Sequence, residues 1–321
     1  MKSKPIYRAA IIGCGAVAGG YDLDPDMGWT VTHAGGYHLC PKTELLAVCD
    51  IVPEALSVFG KKWGVKHLYK DYEDMLRQER PDIVSICLPS EYHFDAYRCA
   101  CQIGIPGIYL EKPVSPNLEE ALAMRNVRHG RPVAVNYFRR WNPTLKKLKD
   151  EFDDGQYGNP LRVTVHYVKG LISNGSHFID LLRWFWGEPI GIRRIGNLAG
   201  LQRDPGVDFE LVWANGLTAT FLHISDSSYV CHEIDIFTDQ ARVTIGQRGQ
   251  TICSYKSIEE PYFRQFRILS CEEPPNETEW RNCSLRAIEE IVKCLDDGGE
   301  PSCTLEDGIK AIELCDQVIS G

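Results

Sequence analysis

Nowhere in its 321 residues does this chain run through about 18 apolar positions in succession, the length that a bilayer-spanning helix needs, so no membrane span is expected. Positive charge is also in short supply: 35 Lys and Arg stand against 44 Asp and Glu, a formal net charge of -9. That balance disfavours general attraction to nucleic acid or to an anionic membrane, while leaving room for a local cationic pocket. A disulfide framework is missing too. The thirteen cysteines are odd in number and spread from Cys14 to Cys315, many inside apolar runs such as LLAVCDI and VSICLP, which predicts reduced, buried thiols in a cytoplasmic protein. Cys99 and Cys101 lack the spacing of a zinc or redox pair, and the histidines form no ligand spacing with carboxylates, so no metal is expected. The opening MKSKPIYRAAIIGCG runs into glycines where an export leader would carry a small-residue cleavage site. Repeats and low-complexity tracts are absent as well.

What is present is an ordinary globular balance, 44% hydrophobic and 25% charged, on a chain long enough for two domains. Short apolar strands alternate with amphipathic helices from residue 7 to about 136, the pattern of a parallel sheet covered on both faces. Strands are expected at 7–13, ELLAVCD, 67–69, DIVSICLP, GIYLE and PVAVNYF, with helices at THAGGYHLC, 53–63, 71–78, 92–102 and 117–126. From residue 137 the pattern changes. A helix at 143–153, the alternating strand LRVTVHYV, the helix GSHFIDLLRWFWG and a succession of strands predict an α+β domain on a large, mostly antiparallel sheet. In WANGL, Asn215-Gly216 has the form of a two-residue hairpin turn. Helices at 284–297 and 305–318 close the chain, the second capped by Thr304. The expected organisation is α/β: a Rossmann-type domain at 1–136 and an α+β domain at 137–321, with the terminal helices free to return to the first.

The first strand ends in Gly13-x-Gly15-x-x-Ala18. Gly13 allows a tight turn, Gly15 lets backbone approach a pyrophosphate and Ala18 keeps the next turn close to the sheet. The phosphates are thus expected at Gly13, Gly15, Ala16 and Val17. Asp50 closes the second strand, where a carboxylate can accept hydrogen bonds from both ribose hydroxyls of an adenosine. No arginine follows it, because the next residues are IVPEA, so NAD is favoured over NADP. At the carboxyl edge of the fourth strand lie Pro89, Ser90 and His93; Ser90 can cap the following helix, and His93 either contacts the cofactor or caps and packs.

GIYLE then delivers Glu111-Lys112-Pro113 to that same edge, where proline stops the strand and aims the side chain before it. A lysine beside an oxidised nicotinamide and partly out of water releases its proton more readily than a free lysine, which suits acid/base work at neutral pH. The chemistry that needs such a group is oxidation of a secondary alcohol or reduction of a ketone. In the second domain His177 sits in the first turn of a mostly buried helix, either hydrogen-bonding the reacting oxygen or satisfied in the core. Asp180, three residues on, is expected to fix local structure. Further candidates for substrate contact are Tyr137, Arg139, Arg140, Lys169 and Asn174, whose cations suit a phosphate, carboxylate or nucleotide diphosphate; ordinary salt bridges are the alternative.

These segments, GCGAVA, VCD, LPSEYH, EKPVS, NYFRRWNP, GSHFIDLLRWFWG and TLEDG, resemble the glucose–fructose oxidoreductase/inositol dehydrogenase-type (Gfo/Idh/MocA) family over nearly the whole chain. The resemblance implies an NAD(P)-dependent oxidoreductase acting on sugars, polyols or their derivatives, with Lys112 as catalytic lysine and His177 as active-site histidine. It also implies a homodimer or homotetramer assembled through the C-terminal sheet. One position departs from the family pattern: the aspartate four residues before the histidine is here Ser173, which leaves the proton route open. Other readings compatible with the residues are an NAD-binding sensor or scaffold without catalysis, and an enzyme that uses bound NAD transiently to cleave a glycosidic bond.

Overall fold

The computed structural model describes residues 6–201, 203–225, 229–271 and 274–321. The chain divides into two compact units, Met1–Trp141 with Arg281–Ile312, and Asn142–Trp280 with Glu313–Gly321.

In the first unit, strands β1 (Tyr7–Ile12), β2 (Thr43–Cys49), β3 (His67–Tyr69), β4 (Ile83–Ile86), β5 (Gly107–Leu110) and β6 (Val133–Val135) alternate with helices α1 (His33–Leu39), α2 (Pro53–Trp63), α3 (Tyr72–Glu79), α4 (His93–Ile103) and α5 (Leu118–Val127). The strands pair in parallel in the order β3-β2-β1-β4-β5-β6. Strand order reverses at β1, so the carboxyl ends of β1, β2 and β4 frame the crevice where open α/β sheets bind ligands. Every residue of β4, β5 and β6 is buried, which is why these strands read as continuous apolar runs. Side chains of Thr32, Asp71 and Asn117 accept from the first-turn amides of α1, α3 and α5, meeting donors that a helix start leaves open.

The second unit contains α6 (Pro143–Asp153), β7 (Pro160–Val168), α7 (Ser176–Trp186), β8 (Gly191–Arg194), β9 (Ala199–Leu201), β10 (Asp204–Gly206), β11 (Phe209–Val212), β12 (Thr218–Ile224), β13 (Glu233–Thr238), β14 (Ala241–Gly246), β15 (Thr251–Glu259), β16 (Arg267–Cys271) and β17 (Asn276–Glu277). Its large sheet runs β16-β15-β14-β13-β7-β12-β11-β8, with β17 on β15, while β9 and β10 form a separate hairpin. All pairs are antiparallel except β7 with β12. One face buries Val163, Val165, Phe209, Phe221 and Ile236 against Leu145, Phe152, Phe178 and Phe185 of α6 and α7. Phe209 and Phe221 lie opposite each other with ring centroids 4.3 Å apart, worth about 1 kcal/mol beyond area burial.

The Asn215-Gly216 pair forms a turn, but not the expected two-residue one. Gly216 N donates to Trp213 O at 3.0 Å and Trp213 N to Leu217 O at 2.9 Å, with left-handed backbone at Gly216 alone. Asn215 thus stays in ordinary backbone and only the glycine takes positive φ, the three-residue form of a hairpin loop.

Helices α8 (Cys283–Asp297) and α9 (Leu305–Ser320) end the chain. In the first unit α8 packs on α1 and β5. A Cβ at Gly36 would lie 2.7 Å from the Ile288 side chain and 3.1 Å from Ser284 backbone, so Gly36, one of the glycine pair that weakens α1 as a helix, is what lets it approach α8. Thr304 caps α9: its Oγ1 accepts from Asp307 N at 3.2 Å, and Asp307 Oδ2 accepts from Thr304 N at 2.8 Å.

Candidate functional site

At the carboxyl edge of the first sheet, Gly13 has φ +99, and a Cβ there would stand 2.6 Å from the Cys87 carbonyl oxygen. No L side chain fits without moving β4. Gly15 is exposed and has no heavy atom within 4 Å of a Cβ position. The one residue is glycine because protein is close; the other leaves a cradle open. Ala16 and Val17 begin a single helical turn, Ala16–Gly20, instead of the long helix that usually follows such glycines. Ala18 is buried, but the tightest approach falls to Gly19, where a Cβ would meet the Trp63 ring at 2.4 Å.

Asp50 follows β2 directly. Its Oδ2 accepts from Cys14 N at 2.7 Å and its Oδ1 from Val52 N at 2.9 Å, which holds the half-buried carboxylate beside the glycine turn. Burial and the Asp50 charge push the Cys14 thiol up to about 12, so a neutral thiol adjoins that carboxylate. These residues fit a dinucleotide: an open cradle at Gly15 and an oriented acid one strand away.

After β4, Pro89 is exposed and Ser90 half-buried. Ser90 makes no cap, because a short turn, Ser90–Tyr92, intervenes and moves the helix start to His93. His93 is 1% exposed, with Nδ1 at 2.9 Å from Pro113 O and Nε2 at 2.7 Å from Leu88 O. Burial lowers its pKa against the pull of those carbonyls. The ring ties the end of β4 to the turn after β5.

Lys112 is half-buried where β5 ends, and the Lys112-Pro113 bond is cis. Beneath it Glu111 is buried. Glu111 Oε1 lies 2.9 Å from His33 Nε2 and also accepts from Asn136 Nδ2. His33 Nδ1 lies 2.9 Å from Ser85 Oγ, which is 2.8 Å from the Tyr37 hydroxyl, while the Tyr109 hydroxyl donates to Asn136 Oδ1 at 2.8 Å. Burial alone would raise the Glu111 pKa, but the hydrogen bonds from His33 and Asn136 and the charge of Lys112 outweigh it and hold the carboxyl below its ordinary range. Tyr137 and Arg139 are buried in this unit, the Arg139 guanidinium 4.8 Å over the Phe138 ring. Arg140 pairs with Asp307 at 2.9 Å.

In the second unit a cavity of about 710 Å³ is lined by Lys169, Ser173, Asp204, His223, Ser225 and Tyr229, among others; that volume suits a small-molecule site. Parallel pairing of β7 with β12 aligns Val168 with Ile224, so Lys169 and Ser225 emerge together although 56 positions apart. Lys169 is exposed and adopts φ +62, an uncommon backbone for a side chain at a cavity wall. Asp204 Oδ1 accepts from Ile172 N at 2.7 Å and Oδ2 from Ser173 N at 3.1 Å. A carboxylate therefore does stand at Ser173, supplied by the β9–β10 hairpin. Asn174 Nδ2 donates to Ser173 Oγ at 3.2 Å. His177 is half-buried in the first turn of α7, and Asp180 lies 3.9 Å from Arg183. Tyr167 is wholly buried, its hydroxyl donating to Val207 O at 2.7 Å and accepting from Val207 N at 2.9 Å.

Sequence reasoning missed two groups. His33, Ser85 and Asn136 gather around Glu111 from three elements, and no local motif joins them. Asp204, His223, Ser225 and Tyr229 are brought to the cavity by tertiary structure, and glycines distant in the chain leave room for two of them: a Cβ at Gly170 would strike the Asp204 carboxylate at 2.0 Å and one at Gly206 the His223 ring at 2.1 Å. Among the described residues no cluster of three His, Cys, Asp or Glu is arranged to hold a metal ion, and no helix is long and apolar enough to cross a membrane.

Residues 7–137 match the model of an oxidoreductase family with an NAD-binding Rossmann fold. D-apiose dehydrogenase of Paraburkholderia graminis is 24% identical over 96% of this chain and 85% of its own length. D-glucoside 3-dehydrogenase of Escherichia coli is 29% identical over 59% of this chain and 56% of its own. Among solved structures, an oxidoreductase from Agrobacterium radiobacter in complex with NAD+, L-tartaric acid and magnesium shares the fold with a TM-score of 0.73, at 19% identity over 98% of this chain and 96% of that one. The nucleotide-binding sheet with its Glu-Lys-Pro turn thus lies within the stretch, residues 7–137, that matches this oxidoreductase family, and the relatives similar to the chain include sugar dehydrogenases.

Proposed function

We propose that the protein is an NAD-dependent dehydrogenase or reductase acting on a secondary alcohol or ketone carbon of a sugar, a polyol or a nucleotide-sugar derivative. The observation that carries this reading is the gathering of Gly13, Gly15, Asp50 and Lys112 at one edge of one sheet. The cofactor would be held at Gly13, Gly15, Ala16 and Val17, with Asp50 at the adenosine ribose and Pro89, Glu111 and Lys112 toward the reacting end. When bound, it supplies or accepts the hydride. NAD is preferred to NADP because an anion at Asp50, followed by the exposed Ile51 and no arginine, repels a 2'-phosphate.

Lys112 is the general acid/base: as the amine it takes the proton of the hydroxyl being oxidised, and as the ammonium it returns one to the carbonyl being reduced. His177 is a second candidate for holding that oxygen. The cavity of the second unit supports a polyhydroxylated substrate, since Lys169, Ser173, His223, Ser225 and Tyr229 offer both donors and acceptors, with Asn174 beside them. The fit is to sugars and sugar acids more than to apolar alcohols. The relatives named above point the same way. Tyr137 and Arg139 remain weaker candidates because both are buried.

The second face of the large sheet carries Thr164, Thr220, Asp235 and Arg242 with the exposed Phe237. This supports self-association through that face as a homodimer or homotetramer, which light scattering would decide.

The test of function is a screen of free sugars, polyols, sugar acids and nucleotide-linked sugars with NAD and NADP, followed as reduced-cofactor absorbance. Turnover of one class with NAD, abolished in Lys112→Ala while NAD still binds, is the expected result. Tight NAD binding with no turnover of any class would favour a sensor and sink the proposal.

A further inference from the structure

We infer that Glu111 is a positioning residue for Lys112: its buried carboxylate is kept anionic by a one-way chain of donors through His33, and so governs when the neighbouring amine holds its proton. The inference rests on the reading of Lys112 as the acid/base group.

Counting hydrogens sets the direction of the chain. The Tyr37 hydroxyl has Ser85 Oγ as its hydrogen-bond partner. If Tyr37 donates there, Ser85 donates to His33 Nδ1, and His33 Nε2–H is left to donate to Glu111 Oε1. In this arrangement every hydrogen has an acceptor. The opposite direction would strand the Tyr37 hydrogen in a place with 1% exposure, where a donor without an acceptor is costly. On the other side Tyr109 donates to Asn136 Oδ1, which turns the Asn136 amide hydrogens toward Glu111. Two lines of donors from separate elements therefore converge on one carboxylate oxygen, an arrangement that suits an anion and not a carboxylic acid.

The titratable groups that face this anion from the packed elements are His33 on α1, Cys87 after β4, His93 on α4, Tyr109 on β5, and Lys112. Burial, with the Glu111 charge added, holds the Cys87 thiol and Tyr109 phenol well above their ordinary values, and burial lowers His93. In each of the three, burial works against the charged form. Lys112 is half-buried just past the end of β5, and an adjacent anion favours the ammonium form of a lysine.

The experiment is the pH profile of kcat for alcohol oxidation, which needs the free amine, in the wild type, Glu111→Gln, His33→Phe and His33→Gln. Removing the anion frees the amine at lower pH, so the acid limb is expected to move down by about one unit or more in Glu111→Gln. His33→Phe, which strips a donor from the carboxylate and lets it protonate, is expected to move the limb the same way. His33→Gln, which keeps an N–H in place, should restore it. NMR of 13C-lysine-labelled protein, with the Lys112 signal assigned by its loss in Lys112→Arg, reads the same shift without turnover and serves any variant that folds but is inactive. An unmoved limb and an unmoved Lys112 titration in the folded variants would overturn the inference. If Lys112→Ala keeps turnover and the limb, the catalytic reading of Lys112 is what has failed; if Lys112→Ala is dead and the limb of Glu111→Gln is unmoved, only the role of Glu111 has.

Discussion

Gly13 and Gly15 stand two residues apart, and the structure predicts that alanine at each would fail in different ways. At Gly13 the added carbon would lie 2.6 Å from the Cys87 carbonyl oxygen, on backbone with φ +99. That carbonyl cannot yield cheaply, because Cys87 N donates to Ile12 O at 2.8 Å and ties the end of β4 to β1. Positive φ and the overlap together cost about 2–4 kcal/mol, so Gly13→Ala should lower the stability of the free protein by that amount. At Gly15 φ is -71 and nothing lies within 4 Å. Alanine there is unstrained and should leave stability unchanged or raise it by about 0.5 kcal/mol through the unfolded chain. The carbon would instead enter the space a pyrophosphate needs, and a steric cost of about 2 kcal/mol weakens NAD roughly 30-fold. Urea unfolding without cofactor and NAD titration by calorimetry separate the two effects. The reasoning is refuted if Gly15→Ala binds NAD as well as the wild type does, because the cradle would then lie elsewhere.

Lys112→Ala should lower kcat by about 10²–10⁴-fold with the KM for NAD nearly unchanged, as steady-state kinetics would show. Tyr167→Phe leaves the buried N–H and C=O of Val207 without the hydroxyl that serves both and should cost about 2 kcal/mol; chemical denaturation checks it, and a loss below about 0.5 kcal/mol would contradict the geometry. Gly170→Ala should displace the Asp204 carboxylate and mimic Asp204→Ala, loosening the 171–175 turn, with faster amide exchange at Ile172 and Ser173 as the readout. Because the folded Glu111 pKa is depressed, its contribution to stability is fully present above its ordinary value of 4.5 and is lost as pH falls through the folded value. Urea midpoints below about pH 4.5 should accordingly fall less steeply in Glu111→Gln than in the wild type; equal slopes would show that the buried carboxylate does not carry this dependence.

Much of the first unit is legible in the sequence. β4, β5 and β6 are buried on both faces and so appear as unbroken apolar runs, and β1, β2, β4 and β5 are followed by residues whose type announces the end: Gly13, Asp50, Pro89, Lys112-Pro113. The edge that holds them together follows from parallel pairing, because every strand then points its carboxyl end the same way. Ser90 and the Asn215-Gly216 turn were misread for a local reason. One intervening turn before α4, and one extra residue in the hairpin, change which atoms face the orphan amides without changing the residue types.

Lys169 and Ser225 share a cavity because β7 pairs in parallel with β12, a pairing that crosses some 50 residues, and Asp204 joins them from β10 by accepting from the Ile172 and Ser173 amides. His33, Ser85 and Asn136 gather at the buried Glu111 carboxylate because β4, β5 and β6 are neighbours in one sheet and α1 brings His33 against Ser85 and Glu111. The amino-acid order by itself determined the elements, their ends and the nucleotide-binding edge, since backbone preference and periodic burial are properties of neighbours in the chain. Which distant polar side chains meet was decided only by tertiary structure, because hydrogen bonds act between atoms about 3 Å apart in space and are indifferent to distance along the chain.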